Sequence, residues 1–145
     1  MIEQITLVLG NWETYQEPAM EVRYEVFVQE QHVPVEEERD QEDAHCVHAV
    51  AFGRDGRPVG TGRLLRNAHI GRMAVRATHR GLGVGSRLLT ALVDEARRRQ
   101  YPEVVLSAQV HARAFYEAHG FVAQGETYIE AGIEHITMRR ILIAA

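Results

Sequence analysis

Residues 73–89 read MAVRATHRGLGVGSRLL, and this stretch decides the fold. An apolar strand ends near Val75, two basic residues follow at His79 and Arg80, and an amphipathic helix begins soon afterwards. Three glycines occupy alternate positions in the turn: Gly81, Gly83 and Gly85. A helix N-terminus presents free backbone N–H groups and about half a positive charge, and both attract anions. The stretch therefore predicts a strand, a glycine turn and a helix that together hold an anionic ligand.

The distribution of charge along the chain also favours an anionic ligand. Of the 20 acidic residues, 13 lie at or before Asp55, and residues 56–93 contain none. The same segment contains seven arginines: Arg57, Arg63, Arg66, Arg72, Arg76, Arg80 and Arg87. Such a segment is suited to meet negative charge. Because it has no aromatic residue for base stacking, a compact anion is favoured over a nucleic acid.

The length and composition are typical of one globular domain, which we assign to residues 1–145. No apolar run approaches the ~20 residues that span a bilayer. The N-terminal segment has acidic residues where a signal peptide would be basic. The single cysteine, Cys46, cannot form an internal disulfide, which is typical of a reducing compartment. We therefore expect a cytoplasmic protein that has neither a membrane nor a nucleic acid as its partner.

Hydrophobic periodicity predicts an α/β chain with a mixed sheet. Strands are predicted at residues 2–9, 45–52, 57–66, 69–75, 104–108, 121–129 and 134–143. Helices are predicted at residues 17–30, 84–100 and 112–119, the first with an apolar stripe of Met20, Tyr24, Phe27 and Val28. The acidic residues 32–44 indicate an exposed loop, with cation recognition as the less favoured alternative. A strand–helix–strand order predicts that residues 104–108 lie near-parallel to the strand that ends at Val75.

Two familiar phosphate-binding motifs do not fit the glycine turn. A P-loop requires a lysine after its last glycine, and this chain contains no lysine. A dinucleotide-binding turn requires glycine at the sixth position from Gly81, which is Ser86 here. The structural alternative is a glycine turn that only allows close packing of helix on strand.

Two motifs resemble those of the GCN5-related N-acetyltransferases, the GNAT family. RGLGVG at residues 80–85 is similar to the family signature Arg/Gln-x-x-Gly-x-Gly/Ala. ARAFYEAHGF at residues 112–121 is similar to its Ala-x-x-Phe-Tyr-x-x-x-Gly-Phe segment, in the same order and spacing. VFVQEQ at residues 26–31 and GIEHITM at residues 132–138 resemble the ElaA/YjcF-like branch more narrowly. One departure is Gln109, which stands where the family usually has asparagine.

The resemblance implies the acyl-CoA N-acyltransferase fold of that family. This fold has a mostly antiparallel sheet, flanked by helices, in which one near-parallel strand pair splays apart and holds acetyl-CoA. The resemblance implies that the coenzyme-binding residues are Met73, Ala74, Val75, Arg80, Gly81, Leu82, Gly83, Val84, Gly85, Ser86, Gln109 and Phe115. Met73 to Val75 would pair with the pantetheine arm, and residues 80–86 would surround the pyrophosphate. Arg76, His79 and Arg87 are candidates for the coenzyme's other phosphate.

The implied reaction is direct attack of a primary amine on the acetyl thioester in a ternary complex. The acceptor would be a small molecule or a peptide, and Tyr116 stands at the family's general-acid position. A free amine is mostly protonated at pH 7, so the site also needs a group that accepts a proton. The candidates for that base, or for contacts to the acceptor, are Glu30, His32 and His135.

Further expectations concern the partners and the alternatives. His45 and His48, three residues apart on a predicted strand, would face opposite sides, so no metal site is expected. The edge of the C-terminal hairpin suggests a possible homodimer. The alternative function is a CoA-binding regulatory or interaction module without catalysis.

Overall fold

The structure of the protein is a computed structural model, which describes residues 4–143. The strands are β1 (Thr6–Gly10), β2 (Val47–Phe52), β3 (Pro58–Leu64), β4 (His69–Val75), β5 (Glu103–Gln109), β6 (Val122–Glu130) and β7 (Ile133–Ile141). The helices are α1 (Trp12–Arg23), the π-helical segment (Tyr24–Glu30) that continues it, α2 (Val35–Glu38), α3 (Val84–Arg98) and α4 (Arg113–Ala118). Among these described elements, no helix is long and apolar enough to cross a membrane.

One sheet contains all seven of these strands, in the order β1-β2-β3-β4-β5-β7-β6. All neighbours are antiparallel except β4 and β5, which are parallel. The parallel pairing covers only two positions, His69 with Val105 and Ile70 with Leu106. Beyond them the two strands separate, so the predicted mixed sheet with one splayed parallel pair is confirmed.

A bulge in β4 begins where the strands separate. Arg72 and Met73 of β4 lie opposite the single residue Gly62 of β3, and Arg72 has a positive φ of 50°. A bulge of this kind bends its strand and increases the local twist, which moves β4 away from β5. A Cβ on Gly62 would lie 2.4 Å from the Met73 sulfur, so glycine leaves room for the Met73 side chain in its present position.

The helix α3 packs on this sheet with the face that its periodicity predicts. Its buried residues are Val84, Leu88, Leu89, Leu92, Val93 and Ala96. They belong to one cluster with Val59, Leu64 and Val104 of the sheet. Since each such aliphatic side chain stabilises the fold by about 1.5–3 kcal/mol when buried, this face fixes α3 and the turn before it.

The first helix differs from its predicted form. It begins at Trp12, where the Asn11 side chain caps it by accepting a hydrogen bond from the Thr14 N–H at 2.9 Å. The predicted apolar stripe is wrong, because the buried positions are Ala19, Val22 and Val26, whereas Tyr24 is 46% exposed. The π-helical segment has wider turns than an α-helix, so a 3.6-residue period cannot extend across it.

The predicted strand boundaries are displaced at two further places. The strand predicted from residue 45 begins at Val47, because His45 ends a 3₁₀ turn (Gln41–His45). The first predicted strand, residues 2–9, corresponds to β1, which runs from Thr6 to Gly10, and residues 2 and 3 lie outside the described part.

The acidic segment is exposed along most of its length, as the sequence predicts, but two of its carboxylates are buried. Glu38 and Asp43 are each only 3% exposed and lie against Arg23, which is 1% exposed. Arg63 donates to Asp43 at 2.8 Å and to Asp40 at 2.7 Å. These ion pairs join the acidic segment to the arginine-rich middle of the chain, so much of that positive charge is neutralised inside the protein.

Candidate active site

The splayed strands open onto a cavity of about 920 Å³. Its walls include the end of β4, the end of β5, the π-helical segment and the turn between β6 and β7. Eight of the predicted site residues line it: Glu30, Met73, Ala74, Val75, Arg80, Gln109, Tyr116 and His135. His32 does not line the cavity; it is exposed and has a φ of 62°. The bulge in β4 therefore makes room for a ligand beside half of the predicted site residues.

The glycine turn leads from this cavity to the start of α3. Gly81 and Gly83 have φ values of 78° and 82°, which non-glycine residues adopt only with strain. Within residues 4–143, the backbone N–H groups of residues 81–86 have no hydrogen-bond acceptor. The first internal bond of the helix is from the Arg87 N–H to the Gly83 carbonyl, at 3.1 Å. A row of unpaired N–H groups at a helix N-terminus is suited to bind an anion.

The remaining residues of the turn have different environments. Leu82 is 56% exposed, whereas the side chain of Val84 is buried in the core and leaves only its backbone available. Gly85 lies beside the Phe115 ring, at a position where a Cβ would make an ordinary contact of 3.4 Å. The Ser86 hydroxyl lies 2.9 Å from His119 Nε2. Phe115 therefore packs against the start of α3 and does not line the cavity.

An ion pair spans the entrance between the turn and the π-helical segment. The Arg80 guanidinium donates to both carboxylate oxygens of Glu30, at 2.6 and 2.7 Å, and its Nε donates to the Val75 carbonyl at 2.9 Å. The hydrogen bond from Arg80 lowers the pKa of Glu30. Arg80 therefore already holds a carboxylate beside the anion-binding turn, and Glu30 is made a weaker base.

Tyr116 is a buried ionisable side chain of the predicted site. It is 8% exposed and packs edge-on against Phe115 and Phe121, with ring centroids 5.1 and 5.9 Å away. Burial raises its pKa to about 12. Its hydroxyl has no hydrogen-bond partner in the described part of the chain, although the residue lines the cavity. A protonated phenol is thus available to donate to a ligand.

His135 lies on β7 and is also 8% exposed. Its Nδ1 lies 2.7 Å from the Ile133 carbonyl, which can only accept, so we assign the proton of the neutral ring to Nδ1. The unprotonated Nε2 then lies 3.9 Å from Glu130 Oε2, and the ring stacks on Tyr128. The structure therefore adds Glu130 and Tyr128 to the site. Neither residue belongs to a motif that the sequence analysis identifies.

Gln109 is held by its neighbours at the end of β5. Its amide N–H₂ donates to Gln31 at 2.9 Å, and its carbonyl oxygen lies 2.6 Å from His111 Nε2. These bonds tie β5 to the residue that follows the π-helical segment. Gln109 thereby fixes the width of the cavity on this side.

The three candidates for a second phosphate contact have partners within the protein. Arg76 donates to Glu25 at 2.8 Å, and Arg87 donates to the Ile5 carbonyl at 3.0 Å. His79 Nδ1 lies 2.9 Å from the Thr78 hydroxyl. Among residues 4–143, no three His, Cys, Asp or Glu side chains are grouped as metal ligands would be. The site thus consists of an anion-binding turn, a buried phenol and an imidazole.

Residues 12–142 match the family model described as the acetyltransferase (GNAT) domain. The chain is 36% identical over 137 residues to a Bacillus subtilis protein named "Uncharacterized N-acetyltransferase YjcF", covering 92% of this chain and 97% of that protein. It is similar to the crystal structure of an acyl-CoA N-acyltransferase from Pseudomonas aeruginosa, with 33% identity, a TM-score of 0.83 and coverage of 94% and 99%. Escherichia coli ElaA has 27% identity, a TM-score of 0.83 and the same coverage.

Proposed function

Because the chain belongs to the GNAT family of acyl-CoA-dependent N-acetyltransferases, we propose that it transfers an acetyl group from acetyl-CoA to a primary amine. The resemblance to the family and to its ElaA/YjcF-like branch is confirmed. The acceptor would be a small molecule or a peptide that attacks the thioester directly in a ternary complex. The observation that carries the proposal is the row of unpaired N–H groups at residues 81–86, which adjoins the cavity that Tyr116 lines.

The turn and the end of β4 supply the binding groups for the coenzyme. Residues 81–86 would donate N–H hydrogen bonds to the pyrophosphate, and the helix dipole of α3 would favour its charge. The backbone of Met73 to Val75 is not paired with β5 and would bind the amide groups of the pantetheine arm. The Arg80 guanidinium would exchange Glu30 for a phosphate oxygen, since both are anionic acceptors.

Tyr116 would donate a hydrogen bond to the sulfur that leaves. Complete transfer of its proton, from a pKa of about 12 to a thiolate of pKa ~8.5, is uphill by about 5 kcal/mol. The same burial would also destabilise a thiolate in this cavity, which makes the difference between the pKa values of the phenol and the thiol smaller. The pKa of Tyr116 therefore favours a phenol that stays protonated until the C–S bond breaks.

His135 is the base that the geometry favours over the other two candidates. Its Nε2 is unprotonated in the neutral ring and the residue lines the cavity. The lowered pKa of Glu30 makes that carboxylate a poor acceptor of a proton. His32 lies outside the cavity lining and would reach the acceptor only through another group.

The reaction is tested by measuring thiol release from acetyl-CoA with a panel of primary amines, together with the mass of each product. We expect Tyr116→Phe to lower kcat by about 10²-fold, the lower range for general acid catalysis, and to leave the coenzyme Kd unchanged. Tyr101→Phe is the matched control, because that hydroxyl bonds to the Arg66 carbonyl and the residue does not line the cavity. Coenzyme binding without thiol release for any amine would instead support the non-catalytic module.

We also propose that two chains pair through the edge of the sheet. β6 is the last strand in the order, and Val122 and Ile129 on it are 64% and 69% exposed. Light scattering of the intact chain would give the mass of a dimer, whereas a monomer at high micromolar concentration would refute the pairing.

A further inference from the structure

Glu130 is a carboxylate of the cavity wall that neither the sequence motifs nor the proposed mechanism assigns. It ends β6, and its Oε2 accepts a hydrogen bond from the Ser107 hydroxyl at 3.2 Å. That hydroxyl also bonds to the Tyr128 hydroxyl, whose ring stacks on His135. Glu130, Ser107, Tyr128 and His135 thus form one connected group, which we call the His135 group. Its bonds aim the Glu130 carboxylate towards the cavity.

The charge of Glu130 is not balanced by the arginines of the cavity. Arg80 is bonded to Glu30, and Arg72 is bonded to Asp40 at 3.2 Å. Within residues 4–143, the cationic group closest to Glu130 is His135, which is neutral when its Nε2 is unprotonated. A cationic ligand is therefore favoured at this end of the cavity, while the turn at residues 81–86 favours an anion at the other.

The separation of the two acceptors suits one ammonium group. Glu130 Oε2 and His135 Nε2 are 3.9 Å apart, and neither can donate to the other while the imidazole is neutral. A nitrogen that donates to both at about 2.8 Å would do so at an angle of roughly 90°, about 20° below the tetrahedral angle of an ammonium ion, which needs only slight bending of each hydrogen bond. His135 is 8% exposed, and its Nε2 makes no other hydrogen bond within the described residues.

From these distances we infer that Glu130 and His135 bind the acceptor as its ammonium ion and that Glu130 takes part in removing its proton. This inference rests on the proposed acetyl transfer. The ammonium R–NH₃⁺ donates to both acceptors, and one proton passes to His135 Nε2, which leaves R–NH₂ and an imidazolium. The Glu130 carboxylate stabilises that imidazolium, because opposite charges at this distance attract.

The rest of the reaction balances. The free amine attacks the acetyl carbon, and the C–S bond breaks as the N–C bond forms. The second amine proton replaces the one that Tyr116 gives to the departing sulfur, and the first leaves His135 for solvent. The net change is R–NH₃⁺ plus the thioester giving the amide, the free thiol and one proton.

Binding as an ammonium ion gives a distinctive pH dependence. The rate constant kcat/KM for a simple amine such as n-propylamine would stay level from neutral pH until the amine itself loses its proton near pH ~10. An enzyme that binds only the free amine, without a base, would gain about tenfold per pH unit across that interval. Other charged or titratable residues that line the cavity are Glu30, Glu37, Glu38, Arg72, Arg80, His111 and Tyr116.

The test compares Glu130→Gln, Glu130→Asp and Glu126→Gln with the unmodified chain, using n-propylamine as the acceptor. We expect Glu130→Gln to raise the KM of the amine about tenfold, because a neutral amide attracts an ammonium ion less strongly than a carboxylate does. Glu130→Asp should recover part of the effect. Glu126→Gln is the matched control, because that exposed side chain of the same strand does not line the cavity.

A second readout uses N,N-dimethylpropylamine, an ammonium ion at neutral pH that cannot form the amide product. It should inhibit the reaction of n-propylamine competitively in the unmodified chain. Its inhibition constant should rise about tenfold in Glu130→Gln. A Glu130→Gln variant with unchanged KM and unchanged inhibition would overturn the inference. If the unmodified chain releases no thiol with any amine, the proposed function itself fails, and the two failures are therefore distinct.

Discussion

Replacing Glu30 by glutamine separates two roles that this carboxylate could have. In the structure, Glu30 occupies both outer nitrogens of Arg80, at 2.6 and 2.7 Å, beside the turn that would bind the pyrophosphate. A phosphate must then displace Glu30 before it can bind to Arg80. Glu30→Gln removes this competing charge while keeping the size of the side chain. We therefore expect the variant to bind coenzyme A more tightly.

The size of the effect follows from the exposure of the pair. The Arg80 and Glu30 side chains are 43% and 42% exposed, so water and salt screen their attraction. Exposed pairs contribute about 0.2–1 kcal/mol, which corresponds to a decrease in Kd of at most about fivefold. The decrease should shrink at high salt, because screening already weakens the ion pair of the unmodified chain.

Isothermal titration with coenzyme A measures the Kd, and thiol release measures kcat. Glu117→Gln is the control, because Glu117 forms an exposed pair with Arg113 on α4, which is not part of the turn. An unchanged or increased Kd in Glu30→Gln would refute the competition between Glu30 and phosphate. A kcat that falls by orders of magnitude would show that Glu30 is the base, against the assignment to His135.

Three other predictions concern pH and stability. Because burial raises the pKa of Tyr116 to about 12, thiol release measured against pH should show no loss of activity from its ionisation below about pH 11. Arg23→Ala leaves Glu38 and Asp43 buried without their cation, so urea unfolding should show a loss of about 3–5 kcal/mol; an unchanged midpoint would contradict this. Hydrogen bonding from Arg63 lowers the pKa of Asp40 from 3.8 to about 2. The contribution of ionised Asp40 to the free energy of unfolding is therefore complete above its pKa in the unfolded chain, and it is lost as pH falls through about 2. Asp40→Asn should therefore remove about 1 kcal/mol at pH 7 and less at pH ~2, by urea unfolding at each pH.

The sequence predicts the parts of the fold that depend on local pattern. The face of α3 follows from apolar residues at regular spacing, and its start follows from the glycines before it. The parallel placement of β5 beside β4 follows from the strand–helix–strand order, because a helix that crosses over the sheet lets the next strand run in the same direction. These features hold because neighbouring residues determine them.

Features that depend on residues far apart in the chain cannot be predicted from local sequence pattern. The arginine-rich segment suggests free positive charge, but Arg63 lies against Asp40 and Asp43, about 20 residues earlier in the chain. Such a pairing is decided by tertiary packing and has no local signature. The π-helical segment likewise replaces the expected period by a wider turn, which residue spacing alone does not indicate.

The residues of the candidate site fall into the same two groups, those that local motifs predict and those that only the tertiary structure brings together. Residues in the glycine turn and Tyr116 are recognisable because they stand in motifs of fixed spacing. The pairing of Glu130 with His135 is not, because it depends on the register of the hairpin and on the direction of two side chains. Which of the three base candidates lines the cavity likewise required the folded backbone around it.

The most direct test of the central claim is a titration of the unmodified chain with acetyl-CoA, in which calorimetry measures the heat of binding. The claim is that residues 81–86 and the cavity between β4 and β5 bind this coenzyme. We predict saturable binding at one site per chain, with a weaker Kd after Arg80→Ala, which removes the guanidinium beside the turn. No binding heat at high micromolar acetyl-CoA, or an affinity that does not change in Arg80→Ala, would contradict the account.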